Sequence, residues 1–172
     1  MNARSDNPRV AVVMGSLSDH RVMSGAVVTL TEMGVTADVQ ILSAHRTPHD
    51  MITFGNTAAD RGLHVIIAGA GGAAHLPGML AATTTLPVIG VPIGLAHLDG
   101  IDSLLSIAQM PTGVPVATVA IDGARNAAHL AIRILALSDP ALANRITRHQ
   151  HDIAEASRTS NRGLQSNPPP LA

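Results

Sequence analysis

Residues 9–19 read RVAVVMGSLSD, a short β-branched run that ends at a glycine and is followed by hydroxyl and carboxyl side chains. A continuous apolar run of this length is typical of a strand buried on both faces. From Asp19 to Met33 the apolar residues recur three and four positions apart, which predicts a helix that stops at Gly34. Strand, glycine turn and helix form the first half of a βαβ unit, so this stretch predicts a parallel sheet.

The same alternation continues along the chain. Apolar runs predict four further strands, at residues 37–42, 64–68, 87–91 and 114–119. Helix-opening residues or helical spacing predict helices from Pro48, Pro77, Asp102 and Asn126. Because strands that alternate with helices imply right-handed crossovers, we expect an α/β fold with three layers, α/β/α, around a central parallel sheet.

The length and composition indicate one domain with tails. A chain of 172 residues, 46% of them hydrophobic, can bury a sizeable core. We expect a single domain over residues 9–157, preceded by a flexible N-terminal tail at 1–8. Asp139 and Pro140 begin an extra C-terminal helix that is predicted to end near Ser157. Residues 158–172 lack hydrophobic periodicity and end in a proline-rich stretch, so they are predicted to be a disordered tail.

The composition excludes several kinds of chemistry. The chain has no Cys, which removes thiol nucleophiles, disulfides and thiolate zinc sites. It has no Lys either, so Schiff-base catalysis and a phosphate-loop lysine are excluded. Phe54 is the sole Phe, Tyr or Trp, which argues against base-stacking platforms for single-stranded nucleic acid.

Charge and hydropathy favour a small-molecule partner over nucleic acid or membrane. The formal net charge of −1 gives no field that would hold the protein on a polyanion. An uncharged stretch at residues 76–96 is interrupted by Pro77, Pro87 and Pro92, which argues against a membrane span. The first residues show no secretory signal pattern, so we expect a cytoplasmic location.

Ligands of parallel α/β sheets bind at the carboxyl ends of the strands, near the switch point of strand order. The loops at those ends are therefore the candidates for a site: residues 15–19, 43–47, 69–75 and 93–100. The first of them offers Ser16, Ser18 and Asp19 at a helix N-terminus, where backbone N–H groups favour an anion such as phosphate and a carboxylate suits sugar hydroxyls. Ordinary helix capping by Ser18 or Asp19 is the alternative.

The second loop, SAHRT at residues 43–47, places an imidazole beside a guanidinium directly after a buried strand. Arg46 can bind phosphate or carboxylate with two parallel hydrogen bonds, and His45 can move a proton in either direction near neutral pH. A structural His45 with Arg46 solvated at the rim is the alternative.

The third loop, GAGGAAH at residues 69–75, is almost bare of side chains, so its backbone can approach a planar, anionic group closely. A crowded turn at an interface is the alternative, since glycine alone does not distinguish the two. No HExxH motif or carboxylate-rich cluster indicates a metal site.

Together these loops resemble those of a known family. The motifs that carry the resemblance are MGSLSD at 14–19, SAHRTP at 43–48, AGAGGAAHLPGM at 68–79 and GIDSLLSIAQMPTGVPVATVAI at 100–121. They are similar, in order and spacing over residues 9–145, to the class I 5-(carboxyamino)imidazole ribonucleotide mutases of purine biosynthesis, the PurE family. The resemblance implies a flavodoxin-like fold, a homo-octamer, and a reaction with no cofactor and no metal.

In the reaction that the resemblance implies, a carboxylate on the exocyclic amine of the imidazole ribonucleotide moves to ring carbon 4. Carbon dioxide is released into a closed pocket and recaptured by the same molecule. His45 matches the histidine that shuttles the proton, Arg46 and Ser16 match phosphate contacts, and Asp19 matches the contact to the ribose hydroxyls. The remaining wall matches Ser18, Ser43, the backbone of Gly71, Gly72 and Ala73, and His75.

Two segments depart from the family pattern. Residues 93–99 read IGLAHLD where the family usually carries polar residues in a segment like QSKALxG, and 122–125 is about two residues shorter than the usual glycine-alanine stretch. Alternative functions are a class II relative that carboxylates aminoimidazole ribonucleotide directly with carbon dioxide, and a non-catalytic nucleotide-binding module.

Overall fold

The computed structural model describes residues 8–166. The strands are β1 Val10–Met14, β2 Ala37–Ile41, β3 Val65–Gly71, β4 Val88–Ile93 and β5 Ala117–Thr118. The helices are α1 His20–Glu32, α2 Pro48–Thr57, α3 Leu76–Ala81, α4 Ile101–Ala108, α5 Ala124–Ala136 and α6 Pro140–Ser166. Single 3₁₀ turns at Leu17–Asp19 and Leu98–Gly100 precede α1 and α4.

The strands form one five-stranded sheet in the order β2-β1-β3-β4-β5, and every neighbouring pair is parallel. Val10 is in register with Ala37 on one side and with Val65 on the other. This order places the switch point between β1 and β3, as in flavodoxin-like folds. The predicted α/β fold with a central parallel sheet and flanking helices is thus confirmed.

The core is almost wholly aliphatic. All residues of β1 and β4 are buried, as are those of β3 up to Ala70, because helices cover both faces of the sheet. On one face Val13 and Ile66 pack in a cluster with Met51 and Ile107. Phe54 belongs to the same cluster, and the Arg61 guanidinium lies 4.7 Å from the centre of its ring.

The strands β3 and β5 differ most in length from the prediction, and β4 continues two residues beyond its predicted end, to Ile93. β3 continues to Gly71 instead of ending at Ala68, because Gly69, Ala70 and Gly71 pair in register with β4. The predicted strand at 114–119 pairs only at Ala117–Thr118. Pro115 lacks the N–H group that a sheet ladder needs, which limits pairing at the start of that segment.

The C-terminal helix was predicted too short. α6 runs to Ser166, so residues 158–166 of the predicted disordered tail are helical, and the rest of that tail lies outside the described residues, as do residues 1–7. An ion pair between Arg158 and Glu155 and a Ser160 hydroxyl bond to the Ala156 carbonyl support the extra turns without an apolar stripe. Periodicity alone therefore missed them.

Two compact units divide the chain, residues 1–134 and 135–172. The sheet and the loops discussed below belong to the first unit. A single domain over residues 9–157 stays a prediction. Among the helices of residues 8–166, none combines the length and the hydropathy that crossing a membrane requires, and residues 76–96 contain α3 and β4 instead of a continuous span.

Candidate active site

The four candidate loops meet at the carboxyl ends of β1 to β4 and enclose a cavity of about 380 Å³. It is lined by Gly15, Ser16, Ser18, Asp19, Ser43, Ala44, His45, Arg46, Ala70, Gly71, Ala73, His75, Leu76 and Leu95. Of the ten residues that the sequence predicted for the site, the structure brings nine to this cavity. Gly72 does not line it.

The loop after β1 forms a capping box. The Ser16 N–H donates to Asp19 Oδ2 at 3.0 Å, and the Ser18 N–H donates to Ser16 Oγ at 3.4 Å. Ser16 is thus the N-cap of the 3₁₀ turn, and the Asp19 side chain is its partner in the capping box, so capping by Asp19, the alternative interpretation, is part of this loop. Asp19 makes no further side-chain cap bond to α1. The Ser18 hydroxyl donates to Ser16 Oγ at 3.1 Å, which gathers two hydroxyls at the start of α1.

Asp19 is a buried carboxyl, only 6% exposed. Burial raises the pKa of Asp19 above its ordinary value, against hydrogen bonds from Ser16, Ser18 and Gly15 and the charge of Arg21, which act to lower it. A carboxylate that is kept from water, yet lines the cavity, suits hydrogen bonds from the hydroxyl groups of a ligand.

The guanidinium of Arg46 ties two loops together. Its Nε donates to Ser43 Oγ at 3.1 Å, and its Nη2 donates to the Gly15 carbonyl at 2.7 Å. The Arg46 backbone N–H also donates to Ser43 Oγ, at 3.2 Å. Because a guanidinium has five N–H groups, these bonds orient the side chain and still allow it to bind an anion.

His45 and His75 are in direct contact. The distance from His45 Nε2 to His75 Nδ1 is 2.8 Å, and the rings meet edge to face with their centres 4.9 Å apart and planes at 88°. One of the two nitrogens must carry a hydrogen and the other must be bare, so each ring restricts the tautomer of the other. The exposed His45 ring lines the cavity, where it can give a proton to a ligand or take one.

The glycine-rich wall differs in detail from the prediction. Gly71 and Ala73 line the cavity, but the Gly72 N–H points to the other side and donates to Ser103 Oγ at 2.8 Å. Gly72 has a φ of +66°, which a residue with a Cβ rarely adopts. Its backbone therefore fixes the turn, and a contact between Gly72 and a ligand stays a prediction.

Ser103 was missed by the sequence analysis. Its side chain is fully buried on α4, where the hydroxyl accepts from Gly72 N–H and donates to the Ile93 carbonyl at 2.8 Å. Ser106 of the same helix donates to the Gly72 carbonyl at 3.4 Å. The only sequence signal was a pair of serines on one face of a predicted helix, which by itself indicates no particular contact.

Five lining residues were also not singled out: Gly15, Ala44, Ala70, Leu76 and Leu95. They are glycine or apolar, so their composition carries no chemical signal. Their position beside SAHR, GSxSD and the glycine-rich loop was the available clue. Within residues 8–166 no group of three or more His, Asp or Glu residues is arranged to hold a metal ion.

Comparison with known proteins agrees with this fold. The family model of AIR carboxylase matches residues 9–156. The chain is 55% identical over 165 residues to the N5-carboxyaminoimidazole ribonucleotide mutase of Mycobacterium tuberculosis, covering 96% of this chain and 95% of that one. It is 57% identical over 146 residues to the protein of that name from Saccharolobus solfataricus, covering 85% and 92%.

Among solved structures, PurE of Treponema denticola superimposes with a TM-score of 0.83 at 27% identity, over 91% of this chain and 98% of that one. The family match spans the sheet and all four loops of the cavity, and the similar proteins align over nearly their whole lengths. The chain therefore belongs to the AIR carboxylase family.

Proposed function

We propose that this protein is an N5-carboxyaminoimidazole ribonucleotide mutase of purine biosynthesis. The name of the relatives that are 55% and 57% identical supports the reaction. The observation that carries the proposal here is the convergence of His45, Arg46 and Asp19 on one cavity. An anion-binding guanidinium, a carboxylate for hydroxyls and a proton-transfer imidazole are the groups that a small ribonucleotide requires.

The phosphate of the substrate is assigned to Arg46 and to the hydroxyls of Ser16 and Ser18 at the start of α1. A helix N-terminus favours an anion, and Arg46 is already oriented by its bonds to Ser43 and Gly15. Asp19 accepts hydrogen bonds from the ribose hydroxyls. The remaining wall is assigned to Ser43, Gly71, Ala73 and His75.

His45 moves the proton. As the bond between the exocyclic nitrogen and the carboxylate breaks, carbon dioxide leaves and His45 protonates that nitrogen. Ring carbon 4 then attacks the same carbon dioxide, and the proton of that carbon returns to His45. No net proton is gained or lost, and His75 holds His45 in place through the contact of 2.8 Å.

Positioning is the main task of the site. Holding a released reactant against its nucleophile can lower the barrier by roughly 7 kcal/mol or more compared with free encounter. Water must be kept out so that carbon dioxide is not lost before recapture. The apolar Leu76, Leu95, Ala44 and Ala70 among the lining residues suit that requirement.

The first test uses substrate with an isotope label in its carboxylate, in excess unlabelled bicarbonate. The mutase retains the label in the product, because carbon dioxide is not exchanged with the solvent. Washout of the label would instead identify a carboxylase that uses free carbon dioxide, the alternative within this family.

The second test is His45→Asn. Removal of a general acid and base lowers turnover by roughly 10²- to 10⁴-fold, whereas binding of the ribonucleotide, measured by calorimetry, changes little. His64→Asn is the matched control, since His64 is exposed at the start of β3 and does not line the cavity. A non-catalytic binding module would show no turnover in the wild type, and unaltered turnover in His45→Asn would remove His45 from the mechanism.

The same proposal includes a homo-octamer and a cytoplasmic location. The octamer is supported by the family resemblance and by a low charged fraction of 13%, which is little for the surface of a small monomer. The location is supported by the substrate, because a phosphorylated compound carries charge that an apolar membrane interior disfavours.

A further inference from the structure

The two segments in which this chain departs from the family pattern contact each other. The Gly94 N–H donates to Asp122 Oδ1 at 2.9 Å, which joins residues 93–99 to residues 122–125. Arg21 of α1 completes the contact: its Nη2 donates to the Gly94 carbonyl, and its Nη1 lies 3.8 Å from Asp122 Oδ2. Both polar groups of the Gly94 backbone are therefore bound by charged side chains.

The backbone around Asp122 is fixed as well. The Asp122 N–H donates to the Pro92 carbonyl at 2.8 Å, and its φ is +56°. Asp is one of the few residues with a Cβ that adopts this left-handed region with any frequency. The carboxylate thus reaches Gly94 from a turn that is itself hydrogen-bonded to the end of β4.

Leu95, the next residue, covers one wall of the cavity. Its Cγ lies 3.0 Å from the position that a Cβ on Gly71 would occupy, so its side chain rests directly on the bare backbone of Gly71. It lines the cavity although it is 45% exposed. On the other side of Gly94, Ser103 binds the Ile93 carbonyl. The position of Leu95 is therefore set by the bonds to Ile93 and Gly94.

An exposed ion pair contributes little stability by itself, and the side chains of Arg21 and Asp122 are 57% and 44% exposed. Their importance lies in the peptide they hold, since charge-assisted hydrogen bonds to a backbone are stronger and more directional than the pair alone. Loss of either side chain leaves Gly94, and with it Leu95, free to move away from Gly71.

We propose that Arg21 and Asp122 are positioning residues that clamp Gly94 and so hold Leu95 over the Gly71 wall of the cavity, where it keeps water from the carboxylate being transferred. The last part of this inference rests on the proposed mutase function. The clamp fixes the position of residues 94 and 95, and that position can be tested without turnover.

Hydrogen exchange at the Gly94 amide tests the clamp, because this N–H donates to Asp122. Asp122→Gly removes the carboxylate while keeping the positive φ without strain, and Arg21→Met removes the charge while keeping an aliphatic stem. We expect exchange at Gly94 to become about tenfold faster in each variant, as for the loss of one local hydrogen bond. Asp122→Asn retains an acceptor for the Gly94 N–H and should restore most of the protection.

The double variant tests whether Arg21 and Asp122 act on the same peptide, and a control variant tests whether the effect is local. Because Arg21 and Asp122 bind the same peptide, the combined variant should exchange little faster than either single one. Arg61→Met is the matched control: Arg61 pairs with Asp38 at the other edge of the sheet, so its loss should leave exchange at Gly94 unchanged. Wild-type exchange rates at the Gly94 amide in Asp122→Gly and Arg21→Met would overturn the clamp.

Turnover tests the role in the reaction. With labelled substrate, Asp122→Gly and Arg21→Met should release a larger share of the carboxylate into bicarbonate and raise KM about tenfold, with a smaller change in kcat. A general loss of folded protein would lower the rate without changing the share of label retained. Faster exchange with wild-type KM and label retention would overturn the role in the reaction. If the wild type does not turn over the substrate, the proposed function fails, and the exchange result still decides the clamp.

Discussion

At the level of single residues, Asp19 combines a structural and a chemical task with opposite demands. It accepts a hydrogen bond from Ser16 and is 6% exposed, so it shapes the first loop from the inside. Burial raises the pKa of Asp19, which means that the folded protein holds a charge there that it disfavours. The ionised carboxylate that binds ligand hydroxyls therefore lowers the free energy of unfolding.

Asp19→Asn should therefore separate stability from binding. The pKa of Asp19 is higher in the folded than in the unfolded state, so its ionisation destabilises the fold above the folded pKa, and this effect disappears as the pH falls toward the ordinary value of 3.8. The variant should gain unfolding free energy relative to the wild type as the pH rises through that window. Urea denaturation at several pH values measures the difference.

Asp19→Asn should bind the ribonucleotide more weakly, although its fold is more stable. Loss of a charged acceptor weakens ribonucleotide binding by about tenfold or more, which calorimetry at neutral pH detects. A stability difference that does not vary between pH 3.8 and neutrality would contradict the burial argument, and unchanged affinity would contradict the assignment to the ribose.

At the level of elements, α4 acts as a brace for the ends of β3 and β4. Ser103 accepts from Gly72 and donates to Ile93, so one buried hydroxyl joins the ends of two strands at the cavity. Among residues 8–166 the buried polar residues are Asp19, Thr29 and Ser103. Asp19 bonds within the loop after β1 and Thr29 within α1, whereas Ser103 joins the ends of two strands.

Ser103→Ala should destabilise the protein by about 2–3 kcal/mol, because it leaves the half-buried Gly72 N–H and the buried Ile93 carbonyl without this partner. KM should rise as well, since Gly71 and Leu95 depend on the same brace. Denaturant unfolding and steady-state kinetics measure the two effects. Ser106→Ala is the control: its bond to the Gly72 carbonyl is long, at 3.4 Å, and its loss should cost well under half as much. Equal effects of the two variants would refute the special role of Ser103.

Substitution of glycine by alanine should have opposite effects on stability at two positions. A Cβ on Gly90 of β4 would lie 2.4 Å from Ile107 Cγ2, whereas a Cβ on Gly163 of α6 meets nothing within 4 Å. Gly90→Ala should destabilise the protein by about 1–3 kcal/mol through overpacking. Gly163→Ala should stabilise α6 by about 0.5–1 kcal/mol through helix propensity. Thermal unfolding of both variants checks the signs, and a stabilised Gly90→Ala would contradict the close packing of α4 on the sheet.

The local signals in the sequence predicted most of the elements. Gly34 ends α1 with a φ of +68°, and Asp139 caps α6 by accepting from the Leu142 N–H at 3.0 Å. These features depend on neighbours along the chain. The end of β3 pairs with residues 22 positions further along the chain, and the contact of Ser103 with Gly72 joins residues 31 positions apart. Periodicity and capping rules do not encode such contacts.

In the candidate site, too, some residues could be predicted from the sequence and others could not. His45 and Arg46 were evident from their chemistry and from the strand before them, whereas Leu95 and Asp122 carry no such signal. The contact between the segments at 93–99 and 122–125 required the fold, because both had been noted only as separate departures from the family pattern.

At the level of the whole molecule, an apolar surface predicts self-association. Ile101 and Leu105 lie four positions apart on α4 and are 51% and 52% exposed, and Leu98, in the turn before that helix, is 68% exposed. An exposed apolar stripe of this kind is unfavourable in water unless another surface covers it. We expect a native mass of eight times the 17.7 kDa chain by light scattering. Replacing all three residues by Glu should reduce that mass, and an unchanged octamer would exclude this stripe from the subunit contacts.

Because Phe54 is the only phenyl ring and the chain has no Trp or Tyr, the aromatic region of its proton NMR spectrum is simple. In a proton NMR spectrum the aromatic region holds one phenyl group and nine imidazoles, with no indole or phenol signals. The ring protons of His45 and His75 thus share this region with seven other imidazoles and one phenyl ring only, so that their protonation can be followed when ligand is added.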